Sequence, residues 1–168
     1  SGCATNDAAC LLGTCAPGDV AASAFLGGIQ VPVNNTALFL TITQTGTVRL
    51  VIAGFSAGEP QANRLTRDLV APNGAQRSVI EFNGGLGQNW IASFFRDGVA
   101  RSVTSLTGAD APYSGVFRPL DPFRGDATGA GGFDGGPAQG SWQFFFSRLG
   151  GPAQPGITSV SLAMCVTP

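Results

Sequence analysis

The sequence has no histidine and no lysine, and only 11% of its 168 residues are charged. Without histidine there is no Ser-His-Asp or Cys-His catalytic system, and without lysine there is no Ser-Lys dyad or Schiff base. A carboxylate pair of the glycosidase type stays open, because eight aspartates accompany Glu59 and Glu81. Scattered surface carboxylates explain those residues equally well, so we predict that the protein is not an enzyme.

Clustered positive charge and long hydrophobic runs are lacking as well. The nine cationic side chains are all arginines, scattered singly from Arg49 to Arg148, and the formal net charge is −1. Nucleic-acid binding needs a patch of basic side chains, so no nucleic-acid partner is predicted. The longest apolar runs, 37–40 and 48–55, are far shorter than the roughly 20 residues that cross a bilayer, so no membrane span is predicted.

Turn-forming residues are abundant, with 25 glycines and 11 prolines separating short segments rich in threonine, valine and phenylalanine. This spacing of turn-forming residues is typical of many short strands joined by turns, and helical periodicity is hard to find. It predicts an all-β sandwich or barrel of about eight or nine strands. The candidate strands are 29–33, 37–43, 47–53, 64–70, 77–82, 90–95, 100–106, 141–149 and 157–166.

The last two candidate strands alternate most clearly between apolar and other side chains. Because side chains of a strand point to opposite faces in turn, each strand has one apolar face that we assign to the core. Cys165 lies on the opposite face of its strand, where an N-terminal segment could reach it. The predicted core positions are Trp142, Phe144, Phe146, Val160, Leu162, Met164 and Val166.

The four cysteines, Cys3, Cys10, Cys15 and Cys165, allow three pairings, and each of them bonds Cys165 to a cysteine near the N-terminus. The spacing does not fit a zinc site, so we predict disulfides and an extracellular location, with the periplasm as a less favoured alternative. Residues 1–28 are small and weakly patterned, and we interpret them as an arm tethered by a disulfide. Residues 29–168 form the predicted sandwich domain.

Several sequence blocks occur in the order found in the P domain, or Homo B domain, of kexin-like and furin-like proprotein convertases and secreted bacterial proteases. From residue 64 onward the chain resembles that family, which implies a jelly-roll β-sandwich that accompanies a subtilisin-like protease domain without itself being catalytic. The 168 residues contain no such protease domain. The blocks are DLVAPNGA (68–75), SFFRDGV (93–99), PYSGVFRP (112–119), LDPFRG (120–125), GSWQF (140–144) and SVSLAM (159–164).

The segment 112–123, PYSGVFRPLDPF, is either a binding surface or a stiff part of the scaffold. Its three prolines fix three φ angles and lower the entropy cost of ordering a loop. The resemblance implies that it is a structural connection whose aromatic side chains cap the sandwich. We therefore expect Tyr113, Phe117 and Phe123 to anchor it in the core.

The glycine-rich segment 125–136 is the best candidate for metal binding, because carboxylates and freed carbonyls are the ligands of calcium. The predicted calcium ligands are Asp97, Asp121, Asp126 and Asp134. In the resembled family, acidic residues around the block that matches SFFRDGV (93–99) help hold calcium, but Arg96 stands where the family has an aspartate. A flexible surface loop without metal is the alternative, and no other cofactor is predicted.

The sequence favours a non-catalytic module that binds an extracellular protein or takes part in assembly. The first alternative is a structural subunit of a filament or surface layer, because the stretch 27–47 is unusually apolar and nearly uncharged. In that case the arm would add a strand to the open sheet of a neighbouring copy. Ile29, Val31 and Val33 are the alternate side chains predicted to fill grooves in that neighbouring sheet. Carbohydrate binding is a weaker alternative, because Trp90 and Trp142 lie in strand patterns typical of buried residues.

Overall fold

The computed structural model describes residues 7–126, 128–150 and 154–168, and nine strands lie in this part of the chain. A four-residue helix, α1 (Ala9–Leu12), precedes them, and three 3-10 turns lie between strands at Ala62–Arg64, Val103–Ser105 and Gly108–Asp110. The strands are β1 (Val20–Val33), β2 (Thr36–Ile42), β3 (Thr47–Gly58), β4 (Leu65–Val70), β5 (Gln76–Glu81), β6 (Trp90–Phe95), β7 (Tyr113–Phe117), β8 (Gly140–Arg148) and β9 (Gln154–Thr167).

The strands form two sheets that face each other. One sheet has the order β1-β9-β3-β6-β7 and the other has the order β2-β8-β4-β5. All pairings are antiparallel except that between β6 and β7. The predicted all-β sandwich is thereby confirmed. None of the helices in the described ranges is long and apolar enough to span a bilayer.

The core lies between the sheets and is dominated by aromatic side chains. Phe55 of β3 stacks on Phe95 of β6 with ring centroids 5.5 Å apart, and it meets Phe146 of β8 edge-on at 5.4 Å. The predicted core faces are confirmed, because all seven predicted side chains of β8 and β9 are fully buried. Alternation with period two was sufficient to assign them, since both strands lie in the middle of their sheets.

A second, smaller cluster covers the outer face of the five-stranded sheet. Ala8 and Leu12 of the arm pack there against Ile52, Phe94 and the disulfide of Cys165. Cys165 is bonded to Cys15, so the predicted link between the two ends of the chain is confirmed. Cys10 is also disulfide-bonded, and Cys3 lies outside the described residues.

Two of the strand predictions differ from the structure. β1 begins at Val20, well before the predicted start at Ile29, so the sheet includes residues 20–28, which the sequence pattern assigned to the arm. Alanine and serine dominate its first half and give little apolar contrast, although the backbone pairs regularly with β9. The predicted strand at 100–106 is wrong, because Ser102 caps a 3-10 turn by accepting a hydrogen bond from Thr104 N–H at 3.3 Å.

The segment 112–123 is part of the scaffold, as expected, but its first half is a strand and not a loop. β7 is a short edge strand parallel to β6, and Tyr113, Phe117 and the following Phe123 are all buried. The Tyr113 ring lies 4.7 Å from the ring of Trp90, and its hydroxyl donates to the carbonyls of Gly84 and Thr107. Aromatic burial, and not proline stiffness alone, therefore holds this segment in place.

The core also contains a charged group that the sequence did not point to. Arg67 of β4 is fully buried, and its guanidinium lies 4.4 Å from the Phe144 ring centroid and 4.7 Å from that of Phe55. None of its three guanidinium nitrogens has a hydrogen-bond partner among the described residues. Burial lowers the pKa of Arg67 well below its usual value.

The close approach of β1 to β9 can be tested at Gly156. A Cβ at this position would overlap the carbonyl oxygen of Val31, and Gly156 has a φ of +96°. We expect Gly156→Ala to lower the free energy of unfolding by about 3 kcal/mol or more, from left-handed strain plus the clash. Gly74 has a similar φ of +86° but open space around it, so Gly74→Ala should cost only about 1 to 2 kcal/mol.

Urea denaturation of the two variants separates the effect of backbone strain from that of the steric clash. Equal decreases in the free energy of unfolding would mean that β1 does not lie against β9 at Val31.

Candidate binding edge of the sandwich

β1 and β2 form one side of the sandwich, and each is the outermost strand of its sheet in the described chain. Within the described ranges, β1 pairs only with β9, and β2 pairs only with β8. The two strands are consecutive in sequence, are joined by Asn34 and Asn35, and contact each other across the gap between the sheets. We call this side, residues 20–42, the β1/β2 edge.

The β1/β2 edge lacks the charges that usually protect an exposed strand. No charged residue occurs between Asp19 and Arg49, and Pro32 is the only proline in the two strands. Natural proteins normally protect edge strands with charges, bulges, prolines or short length, since free backbone groups template pairing with another strand. On the opposite side of the sandwich, β5 has Arg77 and Glu81, and β7 is only five residues long.

Apolar side chains are exposed along this edge. Val20 and Phe25 of β1 are 40% and 47% exposed, and Phe39 of β2 is 58% exposed. Several core-facing side chains are also only partly buried, because no further strand covers them. These are Ala22, Ala24, Leu26, Ile29 and Leu38. The edge therefore offers free backbone hydrogen-bonding groups beside an uncharged apolar surface, which suits a protein strand.

The three residues predicted to add a strand to a neighbour lie within this edge, in the sheet of their own chain. Val31 is paired with Ile157 of β9, and Val33 is paired with Gln154 after an irregularity in the register. Val33 is buried in the core, whereas Ile29 and Val31 are partly exposed. Strand addition between copies stays a prediction.

Three of the four predicted calcium ligands, Asp97, Asp121 and Asp126, accept hydrogen bonds within the chain. The two carboxylate oxygens of Asp97 accept from the backbone N–H groups of Phe123 and Arg124 at 2.9 and 2.8 Å. Asp121 accepts from the backbone N–H of Ser78 at 3.1 Å, on the side of β5. These two carboxylates fix the segment that follows β7, so their position is explained without a metal.

Asp126 caps the glycine-rich loop by accepting from the hydroxyl and backbone N–H of Thr128, and these bonds lower its pKa. The pKa of Asp134 is raised, first by burial and then by the nearby Asp97, against the opposing effect of Arg124. Across residues 7–126, 128–150 and 154–168, no three His, Cys, Asp or Glu side chains are grouped to hold a metal. The four aspartates are thus not brought together, and calcium binding stays a prediction.

Both tryptophans are in the core. Trp90 and Trp142 are fully buried, and the indole N–H of Trp142 donates to the carbonyl of Ala138 at 2.9 Å. Neither ring is available to stack on a sugar, which removes the usual platform for carbohydrate binding.

No protein-family model matches the chain, and a search of the curated proteins finds no match. Two solved structures resemble it with a TM-score of 0.55: the serine protease of Aeromonas sobria, at 16% identity, and the complex of that protease with the chaperone ORF2, at 17% identity. The likeness is one of fold. In both cases it covers 91% of this chain and 28% of the other chain.

A structure of FLHE superimposes with a TM-score of 0.48 and 14% identity, over 89% of this chain and 97% of that one. The fold comparison therefore depends on the two protease structures. The chain spans about 28% of the length of the chains that it matches there.

Sequence reasoning identified the apolar stretch at 27–47 but missed the individual exposed side chains. Phe25 fell in the predicted arm, and Phe39 fell in a predicted strand. Alternation does not reveal whether the outer face of a strand is covered. The absence of charge from Asp19 to Arg49 was the signal that could have located the whole edge.

Proposed function

We propose that this chain is a secreted, non-catalytic β-sandwich module that binds protein through the β1/β2 edge. The observation behind the proposal is an uncharged pair of edge strands with Phe25 and Phe39 exposed on them. Such edges bind an added strand through main-chain hydrogen bonds, and alternate side chains supply the specificity.

The likeness of fold to part of a protease chain supports a proposed accessory role for the module. A P domain, which the sequence resembles, accompanies a subtilisin-like protease domain, and the matched region here is 28% of an Aeromonas sobria serine protease chain. We propose that this module likewise serves a secreted protease or another extracellular protein as an accessory.

A catalytic role is not proposed, because the one fully buried carboxylate among the described residues is paired with an arginine. The carboxylate of Glu59 is fully buried and accepts from Arg148 at 2.7 Å. The sequence also lacks histidine and lysine, the side chains that most often supply a general base or a Schiff-base amine near neutral pH.

An oxidising compartment agrees with this function. The Cys15–Cys165 bond forms and persists where thiols are oxidised, as outside the cell. Because the edge is uncharged, its affinity for a partner should change little with salt concentration.

A charge placed on the edge tests the proposal. Phe39→Lys puts an ammonium group on the exposed face of β2, and we expect it to weaken partner binding about tenfold or more, since the charge must be desolvated against a docking strand. Leu86→Lys is the matched control, because Leu86 is 72% exposed and lies away from the β1/β2 edge. Wild type, Phe39→Lys and Leu86→Lys are used as immobilised baits in the medium of the producing cells.

The partner is identified by mass spectrometry and its Kd is then measured for all three baits. A partner that is bound equally by all three would place the binding site elsewhere. A second copy of the chain is the alternative partner, favoured by the length of β1, whose 14 residues exceed those of most strands in the sandwich.

A further inference from the structure

We infer that β1 is exchanged between copies of this chain, so that each copy completes the five-stranded sheet of a neighbour and is linked to it by the Cys15–Cys165 bond. The inference goes beyond the proposed binding at the β1/β2 edge, because exchange uses the side of β1 that pairs with β9 and leaves its outer side free. Four features of the described residues support it.

The first feature is the small amount of apolar side chain that β1 itself buries. Of its 14 residues only Val33 is buried, and the core-facing Ala22 and Ala24 are small and partly exposed. Detaching the strand therefore uncovers little apolar surface of its own. Exchange reproduces the same strand pairing in trans, so the pairing that β1 gives up in its own chain is restored in the neighbour.

The second feature is the connection that follows β1. Only Asn34 and Asn35 link it to β2, although the two strands belong to different sheets, and Asn35 has a φ of +49° in the left-handed region. The turn is held by exposed hydrogen bonds, among them one from the Thr36 hydroxyl to the Pro32 carbonyl at 2.6 Å. Short, strained hinges favour exchange, because extending the hinge relieves the strain.

The third feature is the surface that β1 would leave behind. Residues 159–166 of β9 pair with β1 on one side and with β3 on the other. Without β1, that edge exposes the backbone groups of a long strand next to buried core residues such as Leu162. The β1 of a second copy fits it in the register already seen, from Val20 opposite Val166 to Gly27 opposite Ser159.

The fourth feature is the position of the disulfide. Ala21 of β1 pairs with Cys165 of β9, and Cys15 lies just before the start of β1 and is bonded to that same Cys165. Whichever copy supplies β1 therefore also supplies Cys15. Two thiols lose two electrons and two protons to an external oxidant, such as an extracellular dithiol oxidase or oxygen, to form the bond. Exchange thus makes a covalent link, giving a closed dimer if it is reciprocal and an open chain if it is not.

Isotope mixing tests the exchange without any variant. Equal amounts of ¹⁴N- and ¹⁵N-labelled chain are reduced, unfolded, mixed, refolded and oxidised, and the folded material is digested without reduction. Half of the disulfide-linked peptide pairs that contain Cys15 and Cys165 are expected to combine one ¹⁴N peptide with one ¹⁵N peptide. Non-reducing electrophoresis is expected to show a series of bands at multiples of 17.0 kDa.

Oligomers whose Cys15–Cys165 peptide pair is isotopically pure would overturn exchange but leave binding at the β1/β2 edge intact. A monomer at every concentration, with an isotopically pure peptide pair, would likewise overturn exchange. If Phe39→Lys also left binding of every captured partner unchanged, the proposed function would fail separately.

A hinge variant provides an independent measurement. Inserting Gly-Ser-Gly-Ser between Asn34 and Asn35 should let β1 fold back on its own chain. We therefore expect the ladder of disulfide-linked bands on non-reducing electrophoresis to be replaced by a monomer band. The same insertion between Asn73 and Gly74, in the turn between β4 and β5, is the matched control and should leave the ladder unchanged. A ladder that persists in the hinge variant would contradict exchange.

Discussion

Replacing Cys15 and Cys165 together with alanine is expected to lower the free energy of unfolding by about 3 to 5 kcal/mol. The bond joins residues separated by 150 positions. In the monomer, where the bond lies within one chain, closing so long a loop lowers the conformational entropy of the unfolded chain, and in the chain-entropy model the effect grows with loop length. Since a domain of this size is stable by roughly 5 to 15 kcal/mol, the variant should be close to the limit of folding.

The arm contributes to this effect beyond the covalent bond. Ala8 and Leu12 cover Cys165, Ile52 and Phe94 on the outer face of the sheet, and an untethered arm would expose that apolar surface. Urea denaturation of wild type and the double alanine variant measures the combined contribution of the cross-link and the arm packing to the free energy of unfolding.

Leu12→Ala is the control for arm packing, because it keeps the disulfide and removes only a buried side chain, at an expected loss of about 2 kcal/mol. If Leu12→Ala lowered the free energy of unfolding as much as the double alanine variant does, packing of the arm and not the cross-link would stabilise the fold. A loss below about 1 kcal/mol in the double variant would contradict the loop-closure argument.

Arg67→Met is expected to raise the free energy of unfolding by about 1 to 4 kcal/mol. The guanidinium of Arg67 is fully buried and lacks acceptors among the described residues. Each buried donor without an acceptor costs about 1 to 3 kcal/mol, and removing the charge from water costs several more.

The aromatic rings around Arg67 offset part of that cost. Phe55 and Phe144 lie within 5 Å of the guanidinium, and a desolvated cation–π contact is worth about 2 kcal/mol. Phe146 and Phe95 are farther away, with ring centroids 5.4 and 5.9 Å from the guanidinium. We expect these four contacts not to balance five N–H groups without acceptors and the lost hydration. Methionine is unbranched and flexible, fills a similar volume and keeps favourable contacts with the rings.

Two further variants complete the Arg67 experiment. Arg67→Ala should destabilise the protein by about 2 to 5 kcal/mol, because it leaves a cavity among the phenylalanines. Arg67→Lys keeps the charge but not the flat guanidinium and should also destabilise it. Thermal and urea unfolding measure the stability of the three Arg67 variants against wild type. If methionine proved as harmful as alanine, the guanidinium would be a net stabiliser with an acceptor such as bound water.

The sequence by itself determined the fold class and the chemistry that the protein lacks. Both depend on local properties: alternation in 142–146 and 160–166 fixed two core faces, and residue counts alone ruled out histidine and lysine catalysis. The link from Cys165 to the chain start also followed by counting, since every pairing requires it.

Tertiary structure decided the features that depend on distant neighbours. The segment 100–106 alternates like a strand but forms a turn, and the weakly patterned residues 20–28 belong to a strand because β9 offers them a partner. Arg67 is buried only because β3 and β8 place phenylalanines around it. The exposure of Phe25 and Phe39 likewise depends on the strand order, which makes β1 and β2 the outermost strands. Strand order is set by non-local pairing, and period-two alternation contains no information about it.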